Sequence, residues 1–484
     1  MKNKKFVFYI FTFFASLFIF INNTFAVDIT TNTTISSDTT YDSMVVKSGY
    51  TLTLDATLHV TGDVTIETGG KITHTVGSTT NFNLIVDGTL NIVPGGKIDM
   101  NEKGNSITGV GSQTIGASHG GFGGSSSSPN PYGDVYNPIT VGAYGYNYTP
   151  GGGLVRMTVG NLINNGSILA NARNSSNSYG QGAGGSINIT VNSNISGTGV
   201  YQANGGYYSS SSSYAGGGGR IAIKFYSASD LSTLEANVLA QGSGYAGDGT
   251  IYLKNTSSGD QYIIANGNGA SYSKSNLVNV DLNDFKEIII NGGSLTVTGV
   301  TSPLSIPYLL DIKNYGYLNL SNSSVSIVGG LNLNNSNFYS LGNISVNGNV
   351  SASNSANFHS SGFTISGSLN NNSGYFTISS LDISSNLNMT GGTLTSNSID
   401  VNGNVFLNSG YITENGLFNI DGDFSIGSTG YITHNYTAVS TFNLIVDGTL
   451  NIVPGGKIDM NEKGNSITGV GSQTIGASHG GFGG

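Results

Sequence analysis

The sequence predicts an all-β chain wound as a parallel β-helix, a β-solenoid. Three observations predict it. Apolar and polar residues alternate over short runs; the runs recur every 18 to 19 residues; and the 73 glycines of the 484-residue chain mark fixed points within that spacing. Alternation of period two describes strands with one buried face. A constant coil length lets each coil stack on the last, so that coils too small to bury an apolar face alone share one core.

Along the chain, residues 1–26 read as a signal peptide. Lys2, Lys4 and Lys5 form a basic start, Phe6 to Ile21 an apolar run too short to span a bilayer, and Thr24-Phe25-Ala26 a small-x-small cleavage site. Cleavage would remove three lysines and no acid, taking the formal net charge from −9 to −12. Residues 27–124 read as N-terminal solenoid coils. Residues 125–275 form a glycine-, serine- and tyrosine-rich module of longer coils, in which glycine runs precede strands at 154, 186, 220 and 250, with the last glycines 32, 34 and 30 residues apart. Between 255 and 291 the pattern is irregular, as at a junction, with a short helical turn expected at 281–286. The segments 125–150 and 207–214 are expected to project as loops.

Residues 276–420 carry the regular coils. The phrase apolar-x-apolar-x-Gly-x-apolar recurs from Val325 to Phe424, its centre advancing by 19, 19, 18, 18 and 19 residues. A further apolar residue follows each centre: Phe338, Phe358, Phe376, Leu394, Ile412, Ile432 and Ile458. Right-handed winding is expected, because parallel crossovers are overwhelmingly right-handed. Residues 421–484 start a second copy of the module that begins near residue 61. Residues 442–484 repeat 82–124 without a change, displaced by 360. A chain ending inside a repeat is expected of a fragment of a longer protein.

Composition excludes several functions. There is no Cys, hence no disulfide framework, thiolate metal site or Cys nucleophile. Three arginines and a negative net charge argue against nucleic acid as a partner. After signal removal no stretch could span a membrane.

The run Ser118-His119-Gly120-Gly121-Phe122-Gly123-Gly124, the phrase from Gly166 through Ile168 to Ala170, and GGGGRIAI at 216–223 resemble glycine-rich modules of large exported repeat proteins. The 18–19-residue coils are similar to the passenger regions of bacterial autotransporters and of filamentous-haemagglutinin-type adhesins. The resemblance is architectural. It implies a long β-helical stalk at the cell surface, used for adhesion or as a coat, with glycans or proteins of a host or neighbouring cell as partners. The chain departs from those families in lacking a C-terminal translocator barrel and a sorting motif with a hydrophobic tail.

No catalytic, cofactor or metal site is expected. Gly116-Ala117-Ser118-His119-Gly120 fits the nucleophile-elbow pattern, but glycine and serine follow where the elbow needs a helix. Gly180 to Gly185 fits G-x-G-x-x-G, but a strand pattern follows where a dinucleotide site needs a helix. The acids Asp421, Asp423, Asp99 and Glu102 could be calcium ligands, but read as turn acids without the nonapeptide calcium repeat. Arg156 and Arg220 occupy comparable coil positions and could share a face. The tyrosines Tyr132, Tyr136, Tyr144, Tyr146, Tyr148, Tyr207, Tyr208 and Tyr214 are the candidate contact residues, since Tyr among Ser and Gly is the composition of adaptable binding loops. The reading is a non-enzymatic, secreted or cell-surface repeat protein acting as an adhesin-like stalk or surface component. The alternative is a carbohydrate-active β-helix enzyme, a polysaccharide lyase or hydrolase.

Overall fold

The computed structural model describes residues 26–76, 82–125, 127–175, 179–207, 212–267, 276–278, 284–297, 304–320, 324–435, 442–463 and 471. Residues 1–25, Tyr208 and the end of the repeated segment lie outside the described residues.

The chain is a parallel β-solenoid whose coils build three stacks of strands. In the first half, one stack runs through Thr33–Ile35, Thr51–Leu54, Lys71–Thr73, Lys97–Asp99, Ser167–Leu169, Val200–Gln202 and Val238–Leu239, each parallel to the next. A second runs through Thr39–Tyr41, Thr57–Val60, Asn83–Ile92, Leu154–Asn164, Ser186–Ser196, Arg220–Ala228 and Thr250–Asn255. A third begins with Ala26–Ile29, Ser43–Val46 and Val64–Ile66 and joins the end of Asn83–Ile92. The period-two pattern turns Leu52, Leu54, Leu58, Val60, Val64 and Ile66 inward, where each is fully buried. Each such side chain contributes about 1.5–3 kcal/mol of burial.

The regular coils follow the spacing read from sequence. Val325, Ile344, Phe363, Leu381, Ile399, Phe418 and Leu444 are register partners in succession. So are Phe338, Phe358, Phe376, Leu394, Ile412, Ile432 and Ile458. The corner between two stacks is held by a polar ladder. Asn349 Oδ1 accepts from Ser368 N, Ser368 Oγ from Asn386 N, Asn386 Oδ1 from Asn404 N, Asn404 Oδ1 from Asp423 N, and Asp423 Oδ1 from Thr449 N, at 2.7–3.3 Å. Each of these corner N–H groups bonds to a side chain of the coil below, at an exposed or half-buried site where a hydrogen bond contributes about 0.5–1.5 kcal/mol. A short amide or carboxylate on the coil below supplies the acceptor.

In the longer coils Leu154, Ser186, Arg220 and Thr250 share one register, and the extra length lies in glycine segments. These are not sheet. Three successive N–H groups reach three different neighbours: Gly217 to Ala117 O at 2.9 Å, Gly218 to Gly247 O at 3.0 Å, Gly219 to Ala203 O at 2.7 Å. Ala183, Gly184 and Gly185 do the same with Ala143, Gly217 and Ala170. A different neighbour for each of three successive donors fits a threefold extended helix of the polyproline-II kind. Several such helices pack side by side, each bonded to those around it. A Cβ at Gly184 or Gly218 would fall under 3.0 Å from the carbonyl oxygen of Ala203 or Ala240, so the bundle requires glycine there.

The junction between the halves is a reversal. Thr250–Asn255 pairs antiparallel with Gln261–Asn266, which pairs parallel with Glu287–Asn291. Ile251, Leu253, Tyr262 and Ile264 face the first core; Tyr252, Ile263, Ala265, Ile288 and Ile290 face the second. One sheet thus closes both cores, one on each side. Strand direction and core side invert together, so the sense of winding is the same in the two halves. Asp248 pins this junction: its buried carboxylate accepts from Gly242 N at 3.0 Å and from the backbone of Ser294.

Two features differ from the sequence reading. A helix, Leu231–Asn237, interrupts the last long coil, capped by Asp230, which accepts from Thr233 N at 3.1 Å. The turn expected at 281–286 falls partly outside the described residues. Finally, the segment 125–150 does not project along its length: Val135, Val141 and Ala143 are buried, because its backbone joins the glycine bundle and its side chains cover the outer sheet face.

Candidate functional site

The loop-bearing face of the long-coil module gathers most of the polar residues that sequence singled out. Its foundation is a buried cluster. His119 is fully buried, with Nδ1 at 2.7 Å from Gly184 O and Nε2 at 2.8 Å from Thr140 Oγ1. A carbonyl can only accept, so Nδ1 carries the proton and Nε2 accepts from the threonine hydroxyl. Burial, reinforced by the positive charge of Arg220, holds the imidazole down to about 3, hence neutral. Ser118 is also buried, its Oγ accepting from Gly123 N at 2.9 Å. The serine of the elbow-like motif therefore ties its own loop, and the histidine links that loop to Gly184 and Thr140.

Arg220 is buried as well. Nε donates to Tyr132 O at 2.7 Å and Nη1 to Thr250 Oγ1 at 2.8 Å. Burial lowers its pKa to about 10, and the Asp134 carboxylate acts in the opposite direction. Asp134 also bends the covering segment by accepting from Tyr136 N and Asn137 N at 2.7 and 2.6 Å. Arg156 lies on the same outer face but in the next register row, with Asn188, Ala222 and Tyr252, so the two arginines do not stack. Asn188 Nδ2 donates to Asn137 Oδ1, fastening the covering segment a second time.

The predicted contact tyrosines separate into two groups. Tyr132 and Tyr136 lie down. The Tyr132 hydroxyl donates to Val141 O at 2.6 Å, its ring packs on His119 at 4.6 Å, and burial raises its pKa well above the ordinary value. Tyr136 packs edge-on against Tyr252 at 4.9 Å and parallel to Phe285 at 6.4 Å. Tyr214 is half-buried, and its carbonyl accepts from Gln181 N. The second group stands out. Tyr146 and Tyr148 are 40% and 76% exposed, on a turn where Gly145 N donates to Thr149 O and Tyr146 N to Gly180 O. Tyr144 meets Tyr148 at 5.2 Å, and Tyr146 meets Tyr179 at 5.1 Å. Tyr179 was not singled out by sequence, although its setting of Ser and Gly is the same. Tyr207 is exposed as well. Tyr208 lies outside the described residues.

The candidate calcium acids are engaged otherwise: Asp423 accepts from Thr449 N, Asp99 from Asn101 N at 3.1 Å and Asp421 from Asn419 Nδ2 at 3.3 Å, and Glu102 pairs with Arg173 at 3.6 Å. Among the described residues no three His, Asp or Glu side chains come together as a metal site. No described helix is long and apolar enough to cross a membrane.

Residues 42–114 match a family model described as "Repeats of unknown function (DUF5649)". That span covers the coils from Asp42 into the first glycine-rich segment. No curated protein and no solved structure matches the chain.

Proposed function

We propose that the chain is an exported, non-enzymatic segment of a cell-surface or secreted stalk, and that the tyrosine turn of the long-coil module is its contact surface. The observation that carries this is the contrast within one module. Tyr132 and Tyr136 are spent on packing, whereas Tyr146 and Tyr148 stand exposed on a turn fixed by backbone bonds, each backed by a half-buried ring, Tyr179 and Tyr144. Rigid exposed rings beside flexible polar residues suit recognition at low ordering cost. The repeat architecture supplies length, and the basic start and apolar run of residues 2–21 supply the address.

The test has two arms. The full chain expressed in a bacterium should appear outside the cytoplasm with Val27 at its N-terminus by mass spectrometry. An intact Met1 in the cytoplasmic fraction refutes export. Beads coated with the chain from residue 27 should adhere to cells, and Tyr146→Ala with Tyr148→Ala should abolish adherence without changing circular dichroism. Full adherence by that double variant refutes the tyrosine turn as contact surface. Release of reducing ends from a polysaccharide refutes the non-enzymatic assignment.

A further inference from the structure

Where the Asn101 ladder climbs the long coils, a groove of roughly 270 Å³ opens between Asn171, Asn174, Gln202, Asn204, Tyr207 and Gln241. Its lining is neutral. No Lys, Arg, Asp or Glu contributes, in a chain that carries 17 cations and 26 acids elsewhere. The amides are not randomly oriented. Asn101 Oδ1 accepts from Asn171 N, Asn171 Oδ1 from Asn204 N, and Asn204 Oδ1 from Gln241 N, each at 2.8 Å. The ladder thus consumes the carboxamide oxygens of Asn171 and Asn204; Asn171 gives one hydrogen of its NH2 to Gln202 Oε1 at 3.4 Å, and its second hydrogen joins the NH2 groups of Asn204 and Gln241 as donors of the wall. Because the ladder is fixed by the coil stack, these donors recur at the strand spacing, about 4.8 Å.

The rim is also built. Tyr207, 47% exposed, has its backbone held on both sides: its N–H donates to Asn174 Oδ1 at 2.9 Å and its carbonyl accepts from Ser175 N at 3.3 Å. An immobilised backbone reduces the ordering cost when the ring covers a ligand.

From this geometry we infer that the groove binds a neutral oligosaccharide, laid along the coil axis with successive hydroxyls on the Asn171, Asn204 and Gln241 amides and one sugar face on Tyr207. Regularly spaced neutral donors match a polymer of regularly spaced hydroxyls. The lack of any cation disfavours uronates, sulfates and phosphates, whose desolvation nothing here would offset. The groove shares no lining residue with the tyrosine turn at 144–148 and does not depend on export.

The experiment titrates cellohexaose, laminarihexaose and maltohexaose, with hexagalacturonate as the charged comparison, into the chain from residue 27, by calorimetry and saturation-transfer NMR. At least one neutral hexaose should bind saturably below millimolar concentration. Tyr207→Ala and Gln241→Ala should each weaken it about tenfold, as expected for loss of one stacking or amide contact, while Tyr207→Phe and Tyr148→Ala leave it unchanged. Circular dichroism of the variants guards against unfolding, and Gln241→Ala keeps the backbone N–H that the ladder needs. The inference is overturned if no neutral hexaose binds, if hexagalacturonate binds more tightly, or if Tyr207→Ala and Gln241→Ala both leave binding intact. A loss caused only by Tyr148→Ala would place the sugar on the tyrosine turn and likewise overturn it.

Discussion

Phe338 and Phe358 are stacked one coil apart, with ring planes 10° from parallel and centroids 5.1 Å apart. Phe376 continues the row at 5.3 Å from Phe358, and Phe363 packs on the same ring at 4.3 Å. Phe358 is thus shared by the coils on either side. Phe358→Ala should cost about 3–5 kcal/mol, the range for a large aromatic removed from a closed core. In a stack where each coil contacts only its neighbours, the loss should appear as local opening. Hydrogen exchange should accelerate in Asn337–Tyr339 and Tyr375–Ile383 while Thr51–Leu54 stays protected. Uniform acceleration in both halves would contradict a coil-by-coil architecture.

The glycine bundle makes a sharper demand. Gly218→Ala places a methyl against the Ala240 carbonyl, backbone that cannot swing aside. The variant should lose hundreds-fold protection of the amides at 183–185 and 217–219 and become susceptible to proteolysis between 115 and 250. Gly49→Ala is the control: its Cβ would meet nothing within 4 Å, so only the left-handed backbone, φ +82°, costs energy, about 1 kcal/mol. Equal damage from the two substitutions would show that the close approach at Gly218 is not what the fold depends on.

These two cases also mark what sequence reveals. The phenylalanine row was legible because side chains carry the pattern: Phe338, Phe358 and Phe376 recur at the coil period, and that period alone places them in register. The bundle was only half legible. Glycine runs at 151–153, 184–185 and 216–219 marked strand starts correctly, but a threefold helix without side chains leaves no apolar phase to read. The fate of the tyrosines depended on distant partners. Nothing near Tyr136 announces Phe285, and nothing near Tyr132 announces Arg220. The reversal at 250–266 was hidden because both faces of its strands are apolar, one face for each core.

Asp248 predicts a pH dependence. Burial raises its pKa from 3.8 to about 7, against the opposing bonds from Gly242 and Ser294. The folded state therefore holds its proton more tightly than the unfolded chain. The associated stability is complete below about pH 4 and is lost as pH rises through 7, a change on the order of 3–4 kcal/mol. Asp248→Asn keeps the acceptor oxygen and removes the charge. Chemical denaturation should find the variant's advantage over the parent smallest below pH 4 and growing to its full size by pH 8. Identical curves at both pH values would mean that Asp248 does not titrate in this range.

Just ahead of the repeat, the same displacement offers a comparison at Glu414. Displaced by 360, its counterpart is Leu54, and both precede residues in matching register, Thr73 and Thr433 stacking on Thr53 and Thr413. Leu54 is fully buried among the inward leucines; Glu414 is equally buried, with Oε1 accepting from Gly416 N at 3.0 Å and Oε2 without a hydrogen-bond partner. Burial raises its pKa from 4.5 to about 8, outweighing the bonds from Gly416 and Asn415. A raised carboxyl contributes stability below about pH 4.5 that is lost as pH rises through 8. Glu414→Leu removes that loss and the unpaired oxygen, at the cost of the Gly416 bond, about 1 kcal/mol. The variant should gain a few kcal/mol at pH 9 and little or nothing at pH 5, read as midpoints of chemical denaturation followed by hydrogen exchange in Val405–Ile420. Leu54→Glu is the reciprocal exchange and should introduce the same pH slope into the first half. If Glu414→Leu leaves the slope between pH 5 and 9 unchanged, the buried carboxyl is not the group that responds to pH.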